Sequence, residues 1–300
     1  MRLVGATFQL GFKRTSPTSA SKIVARFDTG VEATNLPHIA TKCKTRAVRI
    51  DLHINQSLAP FPELLDCARR ADSGVFDGLW VLDHLASMRP TDQAPGDMLD
   101  PHVLLGAIAA STSRLRLGVL VNNVAARPAH VIAGATASLD IASQGRAVLG
   151  LGAGAAPNSF FAGEFDALKV ALEPSMHKRQ DRVMEALSAI RSIWNGEANT
   201  DVRFPRPSAA IPVVVGVNSE RLAHMAAAAG CGINVRADHP RVSHILGCAN
   251  HALGESAASV WLPYSKELTD PSHPTYRELE SMGVGRVMLL TMTRDDILNA

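Results

Sequence analysis

Residues 76 to 84 read Phe-Asp-Gly-Leu-Trp-Val-Leu-Asp-His, an apolar strand pattern that runs straight into a carboxylate and an imidazole. Delivered at the C-terminal end of a strand, Asp83 and His84 suit general acid–base chemistry. Histidine has the side-chain pKa closest to neutral pH, and in a parallel α/β barrel the reacting groups sit at that end of the strands. Neighbours along a strand face opposite ways, so the two side chains share one pocket only if the strand stops there. On that reading His84 is the acid or base and Asp83 a second contact or an orienter.

Other stretches offer ligand contacts or ordinary structure. Gly150-Leu-Gly-Ala-Gly154 lacks the last glycine and the acidic partner of a dinucleotide fingerprint, which leaves a tight strand-to-loop turn as the plain reading. Gly216-Val-Asn-Ser219 precedes a helical pattern, where exposed N–H groups and a hydroxyl favour a phosphate, while Ser219 serves equally well as an N-cap. Arg221 is a candidate counter-charge there. Asn122 and Asn123 could donate to the polar edge of a ligand or simply build a turn. His239, His244 and His251 match no zinc spacing and read as exposed helix histidines, so no metal is expected. Glu164, Arg182 and Glu185 read as ion pairs within a helical region.

The elements that must position these groups alternate between short apolar runs and helical patterns, the signature of βα units and a parallel sheet. Strands are expected at residues 47–53, 79–82, 115–121, 147–151, 213–217, 233–235, 259–262 and 286–291. Helices are expected from Pro62, at 101–113, at 129–143 closing on Gly145 in a left-handed conformation, at 175–194 and at 220–229. The helix at 175–194 carries Val183, Leu187, Ile190 and Trp194 as one apolar stripe. Eight strands with intervening helices predict a (β/α)8 TIM barrel over residues 46–300. Residues 1–45 are expected to be a poorly ordered leader, with seven basic residues against Asp28 and Glu32 and no apolar period.

Composition narrows the functional classes. With 46% hydrophobic residues in 300 and a formal charge of +2, from 30 basic against 28 acidic residues, the chain can build a large core and has no basic stripe for nucleic acid. Cys43, Cys67, Cys231 and Cys248 form no C-x-x-C pair, which fits a reducing cytoplasm better than a disulfide framework. No apolar run approaches the ~18 residues of a membrane span, and no signal-peptide order is present.

Taken together, the segments resemble the bacterial luciferase-like superfamily of flavin- and coenzyme F420-dependent enzymes over residues 46 to 296. Residues 76–84 resemble its second strand. Ala110-Ser-Thr-Ser-Arg-Leu-Arg-Leu-Gly118 with Arg127-Pro128 resembles its third strand and next helix start. Leu139 to Gly154, with Ser143-Gln-Gly-Arg146, resembles the approach to its fourth strand, and Glu164-Phe-Asp-Ala-Leu168 with Arg179-Gln-Asp-Arg182, Glu185 and Ile193-Trp194 its fourth helical region.

The resemblance implies His84 and Asp83 as catalytic residues. It implies cofactor contacts from Leu120, Val121, Asn122 and Asn123, from Gly152, Ala153 and Gly154, and from Gly216, Val217, Asn218 and Ser219 at a phosphate pole. It also implies a cis peptide between Leu120 and Val121. Asp83-His84, an open pocket and the lack of an arginine near Gly154 favour the deazaflavin coenzyme F420 over flavin mononucleotide (FMN). Expected partners are a small-molecule substrate, a flavin or F420 reductase and a second copy of the chain in a homodimer. The departures are a shortened segment between Trp194 and Ile211, Cys231 where the family commonly has an aspartate, and a truncated last helix.

Overall fold

A computed structural model describes residues 48–87, 96–197, 201–253 and 258–300, without the side chains of residues 250–253. The expected leader, residues 1–45, lies outside the described residues. The strands are β1 (Arg49–Ile54), β2 (Gly78–Val81), β3 (Arg116–Val119), β4 (Asn122–Asn123), β5 (Ala147–Gly152), β6 (Val213–Gly216), β7 (Gly232–Arg236), β8 (Ala258–Pro263) and β9 (Arg286–Leu290). Every pairing is parallel, and contacts of β5 with both β3 and β4 close the sheet, so β3 and β4 are two halves of one stave in an eight-stave barrel. The bond between them, Leu120–Val121, is the cis peptide expected from the sequence.

Strand alternation divides the apolar residues into two layers. On β1, Ile50, Leu52 and Ile54 join the sheet-to-helix core, whereas Asp51 and His53 occupy the other face. The barrel interior holds a separate plug of Trp80, Leu120, Val148 and Met288. Gly118 exists for this plug, since a Cβ there would stand 2.6 Å from the Trp80 ring.

The helices are α1 (Phe61–Ser73), α2 (Pro101–Ser111), α3 (Ala129–Ala142), α4 (Gly163–Ala167), α5 (Met176–Asn195), α6 (Glu220–Ala228), α7 (Val242–Leu253), α8 (Pro274–Ser281) and α9 (Arg294–Asn299). Their starts are local chemistry. Asp100 accepts from His102 N and Val103 N ahead of Pro101, Ser175 caps α5, and Thr293 with Asp296 forms a capping box at α9. Past α3, Gly145 adopts φ +86°, as its position after the helix required.

Candidate active site

The end of β2 is set by a side chain. Gln56, in the turn after β1, accepts from Leu82 N at 3.1 Å and donates to Leu82 O at 2.7 Å, so it replaces the neighbouring strand's backbone from Leu82 onward. Freed from the pleat, Asp83 and His84 turn to different neighbours.

His84 faces Glu164 of α4, with Nδ1 3.0 Å from Oε1, while Oε2 accepts from Leu85 N at 2.7 Å and Ala86 N at 3.3 Å. Burial works against the Glu164 charge, but the bonds from His84 and the two amides outweigh it and hold the carboxyl below its ordinary value. An ionised carboxylate only accepts, so Nδ1 carries the hydrogen and Nε2 is the nitrogen left for a ligand. Phe161 stacks on the imidazole at 5.1 Å between centroids. Glu164 therefore orients His84 instead of forming an ion pair with Arg182.

Asp83 is tied elsewhere. Arg127 Nε donates to its oxygens at 2.8 and 3.0 Å, and Asn123 N at 2.9 Å. Arg127 also donates to Asp100, and these two carboxylates outweigh the cost of burying the guanidinium and raise its pKa. The Asp83 carboxylate thus anchors the loop after β4 to the end of β2, while its residue still lines a cavity beside His84.

Two cavities meet here, at the C-terminal end of the strands. The larger, about 1180 Å³, includes His53, His84, Leu120, Val121, Gly216, Val217 and Asn218 in its wall. The smaller, about 290 Å³, is lined by Asp83, His84, Leu120, Val121, Asn123, Gly152, Ala153, Gly154 and Gly216 to Asn218. All but two of the expected site residues converge. Asn122 lines neither cavity; it is wholly buried and donates to Gly150 O at 2.8 Å, which makes it a brace between staves. Ser219 lines neither cavity and caps α6 through Leu222 N. Its Oγ also accepts from Gln180 Nε2 at 2.8 Å, and Gln180 Oε1 accepts from Arg221. With both lone pairs taken, the Ser219 hydroxyl has its proton to offer. Arg221 turns to Asp181 at 2.7 Å and is not a free counter-charge.

The glycines answer to packing. A Cβ on Gly152 would stand 2.1 Å from Val121 Cγ2, and Gly154, at φ +73°, lies against the Asn123 carboxamide. They let the β3–β4 stave bulge onto β5. Gly152, Gly154 and Gly216 consequently leave backbone exposed in the smaller cavity's wall.

A family model described as luciferase-like monooxygenase matches residues 45–246. The chain belongs to that family. The F420-dependent glucose-6-phosphate dehydrogenase of Kineococcus radiotolerans is 32% identical over 57% of this luciferase-like chain and 51% of its own length. The 5,10-methylenetetrahydromethanopterin reductase of Methanolobus tindarius is 26% identical over 61% and 52%. The chain thus spans about half the length of these curated relatives. An F420-dependent secondary alcohol dehydrogenase solved with an F420–acetone adduct superposes with a TM-score of 0.66 at 16% identity, over 84% of this chain and 96% of that one, a likeness of fold.

Residues that the linear pattern did not expose include His53, Gln56 and Phe161. His239 stands in the turn between β7 and α7 and lines the larger cavity, not the face of a helix. His251 is among the side chains not described. Among the described residues no cluster of metal-ligating side chains forms, and no helix is long and apolar enough to cross a membrane.

Proposed function

We propose that this chain is an oxidoreductase that moves a hydride between the deazaflavin coenzyme F420 and a small organic substrate at the C-terminal mouth of its barrel. The observation that carries the reading is His84, held by Glu164 and Phe161 where the two cavities meet. The F420-dependent names of similar proteins support it.

The residues present fit such a cofactor. Gly152 to Gly154 and Gly216 to Asn218 offer a wall rich in backbone, and α6 begins beside them with amide N–H groups, donors suited to a phosphate-bearing tail. When bound, the deazaflavin supplies a two-electron hydride donor or acceptor. This chain's own part is proton transfer and positioning. With Nδ1–H given to Glu164, His84 keeps a lone pair on Nε2 that takes the proton of a substrate hydroxyl in oxidation and returns it in reduction. Glu164 fixes the ring and stabilises the imidazolium while it exists. Phe161 shields one face of the imidazole from water.

Separate titrations with coenzyme F420 and FMN, followed by absorbance and fluorescence, test the cofactor, and the deazaflavin should bind more tightly. FMN binding with no response to the deazaflavin would move the protein to a two-component monooxygenase served by a flavin reductase. His84→Ala should lower turnover about 10²- to 10⁴-fold with the melting temperature unchanged. Cofactor binding by the native protein without turnover of any hydroxyl or carbonyl compound would leave a binding barrel and no enzyme. A homodimer and a reductase that regenerates the cofactor belong to the same proposal, and sedimentation velocity checks the first.

A further inference from the structure

β1 sends His53 into the larger cavity, near His84 and the plug of the barrel, where it is 4% exposed. Neither ring nitrogen has a hydrogen-bond partner among the described residues. Leaving a buried polar atom unpaired is costly, so stability alone would favour a leucine or phenylalanine at this position. An orphaned imidazole that lines a cavity is better explained by a ligand group that completes it.

We propose that His53 is a second hydrogen-bonding residue of the site, a neutral imidazole whose free nitrogen accepts from the hydroxyl of an uncharged, largely apolar ligand in the larger cavity. The proposal rests on reading that cavity as the substrate site.

Burial first, and His84 second, push the His53 pKa down to about 3, so the ring stays neutral and carries one N–H and one lone pair. The Leu120 carbonyl lies near enough to favour the charged form slightly, though outside hydrogen-bonding geometry. That carbonyl attracts the N–H to the nitrogen beside it, and the other nitrogen presents its lone pair. A lone pair selects a donor, and O–H is the donor that an uncharged substrate of redox chemistry supplies.

The rest of the wall agrees. The titratable and charged groups sharing it are His84, His239, Arg236, Arg294 and Asp295. Both guanidiniums are committed, Arg236 to Asp238 and Arg294 to Glu63. Each pair takes its guanidinium's Nε and Nη2 and offsets its charge, which weakens the pull on a phosphate or carboxylate, whereas Leu58, Val235, Trp261 and Leu290 offer apolar surface.

Two readouts on the protein test this without depending on the cofactor. In ¹⁵N spectra of the native protein, the His53 ring should be neutral from pH 5 to 8, and its unprotonated nitrogen should shift upfield on adding cyclohexanol. In His53→Leu, the melting temperature of the ligand-free protein should hold or rise, because two orphaned atoms are removed. A third readout uses coenzyme F420: KM for cyclohexanol should rise about tenfold in His53→Leu with a smaller change in kcat, partly restored in His53→Gln. An imidazolium, an alcohol-insensitive spectrum or a fall of several degrees in His53→Leu would overturn the proposal. So would a kcat/KM for glucose 6-phosphate above that for the neutral alcohol. If coenzyme F420 does not bind at all, the functional reading fails, and the spectra and melting temperature still decide His53.

Discussion

Asp51 and His53 stand two residues apart on the same face of β1, and the two ends of the barrel treat them in opposite ways. At the N-terminal end, Asp51 is wholly buried, yet Arg286 Nη1 donates to both its oxygens at 2.6 Å and Trp80 Nε1 donates to Oδ2 at 2.7 Å. Even the absent side chain of Gly78 belongs to the arrangement, since a Cβ there would stand 2.9 Å from Oδ2. At the C-terminal end, His53 is equally buried and neither nitrogen is paired. The plug reaches both ends, with Trp80 and Val148 in the wall of the cavity beside Arg286 and Leu120 in the wall of the cavity beside His53. On this face of β1 the polar group is closed off at the N-terminal end and left open at the cavity, at the end where TIM barrels generally carry their active sites.

The sharpest way to break this comparison is Asp51→Ala. It leaves the mostly buried Arg286 uncompensated next to Arg49 and Arg116, which line the same small cavity. The loss should be about 3–5 kcal/mol, because an unpaired buried charge is what remains. Urea denaturation measures it, and a loss below about 1 kcal/mol would mean that the pair does not hold this end.

A somewhat smaller effect should appear in acid at the other end. The folded pKa of His53 lies below its unfolded value, so its contribution is complete above about pH 6.5 and is lost as pH falls toward 3, at up to about 1.4 kcal/mol per pH unit. Between pH 7 and about 4.5, the native protein should lose about 3 kcal/mol more than His53→Leu. Equal acid sensitivity of the two proteins would show His53 already protonated and paired in the fold.

Smallest of the three is a change in the wall between these ends. A Cβ on Gly150 would stand 2.0 Å from the Val119 carbonyl oxygen, and since backbone cannot swing aside, Gly150→Ala should cost about 1–3 kcal/mol. Gly216→Ala meets only a Val121 methyl at 3.1 Å and should cost less than Gly150→Ala. The reverse ranking by thermal denaturation would indicate that the staves move apart easily.

Much of the site could be read in the linear pattern because its parts are local. His84 at a strand end, the cap at Ser219 and the left-handed Gly145 depend on residues a few positions away. The expected strand at 115–121 instead ends at Val119, and Asn122–Asn123 pairs as a separate short strand, since apolar periodicity carries no trace of the cis peptide between Leu120 and Val121. Asn122 reads as a site residue by its place in the chain, yet it lines neither cavity and its Nδ2 is committed to Gly150 O.

The sequence alone determined the alternation of strands and helices, and with it the barrel and the mouth at which Asp83 and His84 emerge. Tertiary structure alone decided what those side chains do there. Glu164 reaches His84 across 80 residues, and Arg127 claims Asp83 across 44. His53, which reads as one more residue near the end of a strand, becomes an unpaired imidazole in a cavity wall. Periodicity and caps are written within a turn or two of chain, but which polar groups find partners depends on closure of the sheet, which brings distant residues together and leaves some of them facing open space.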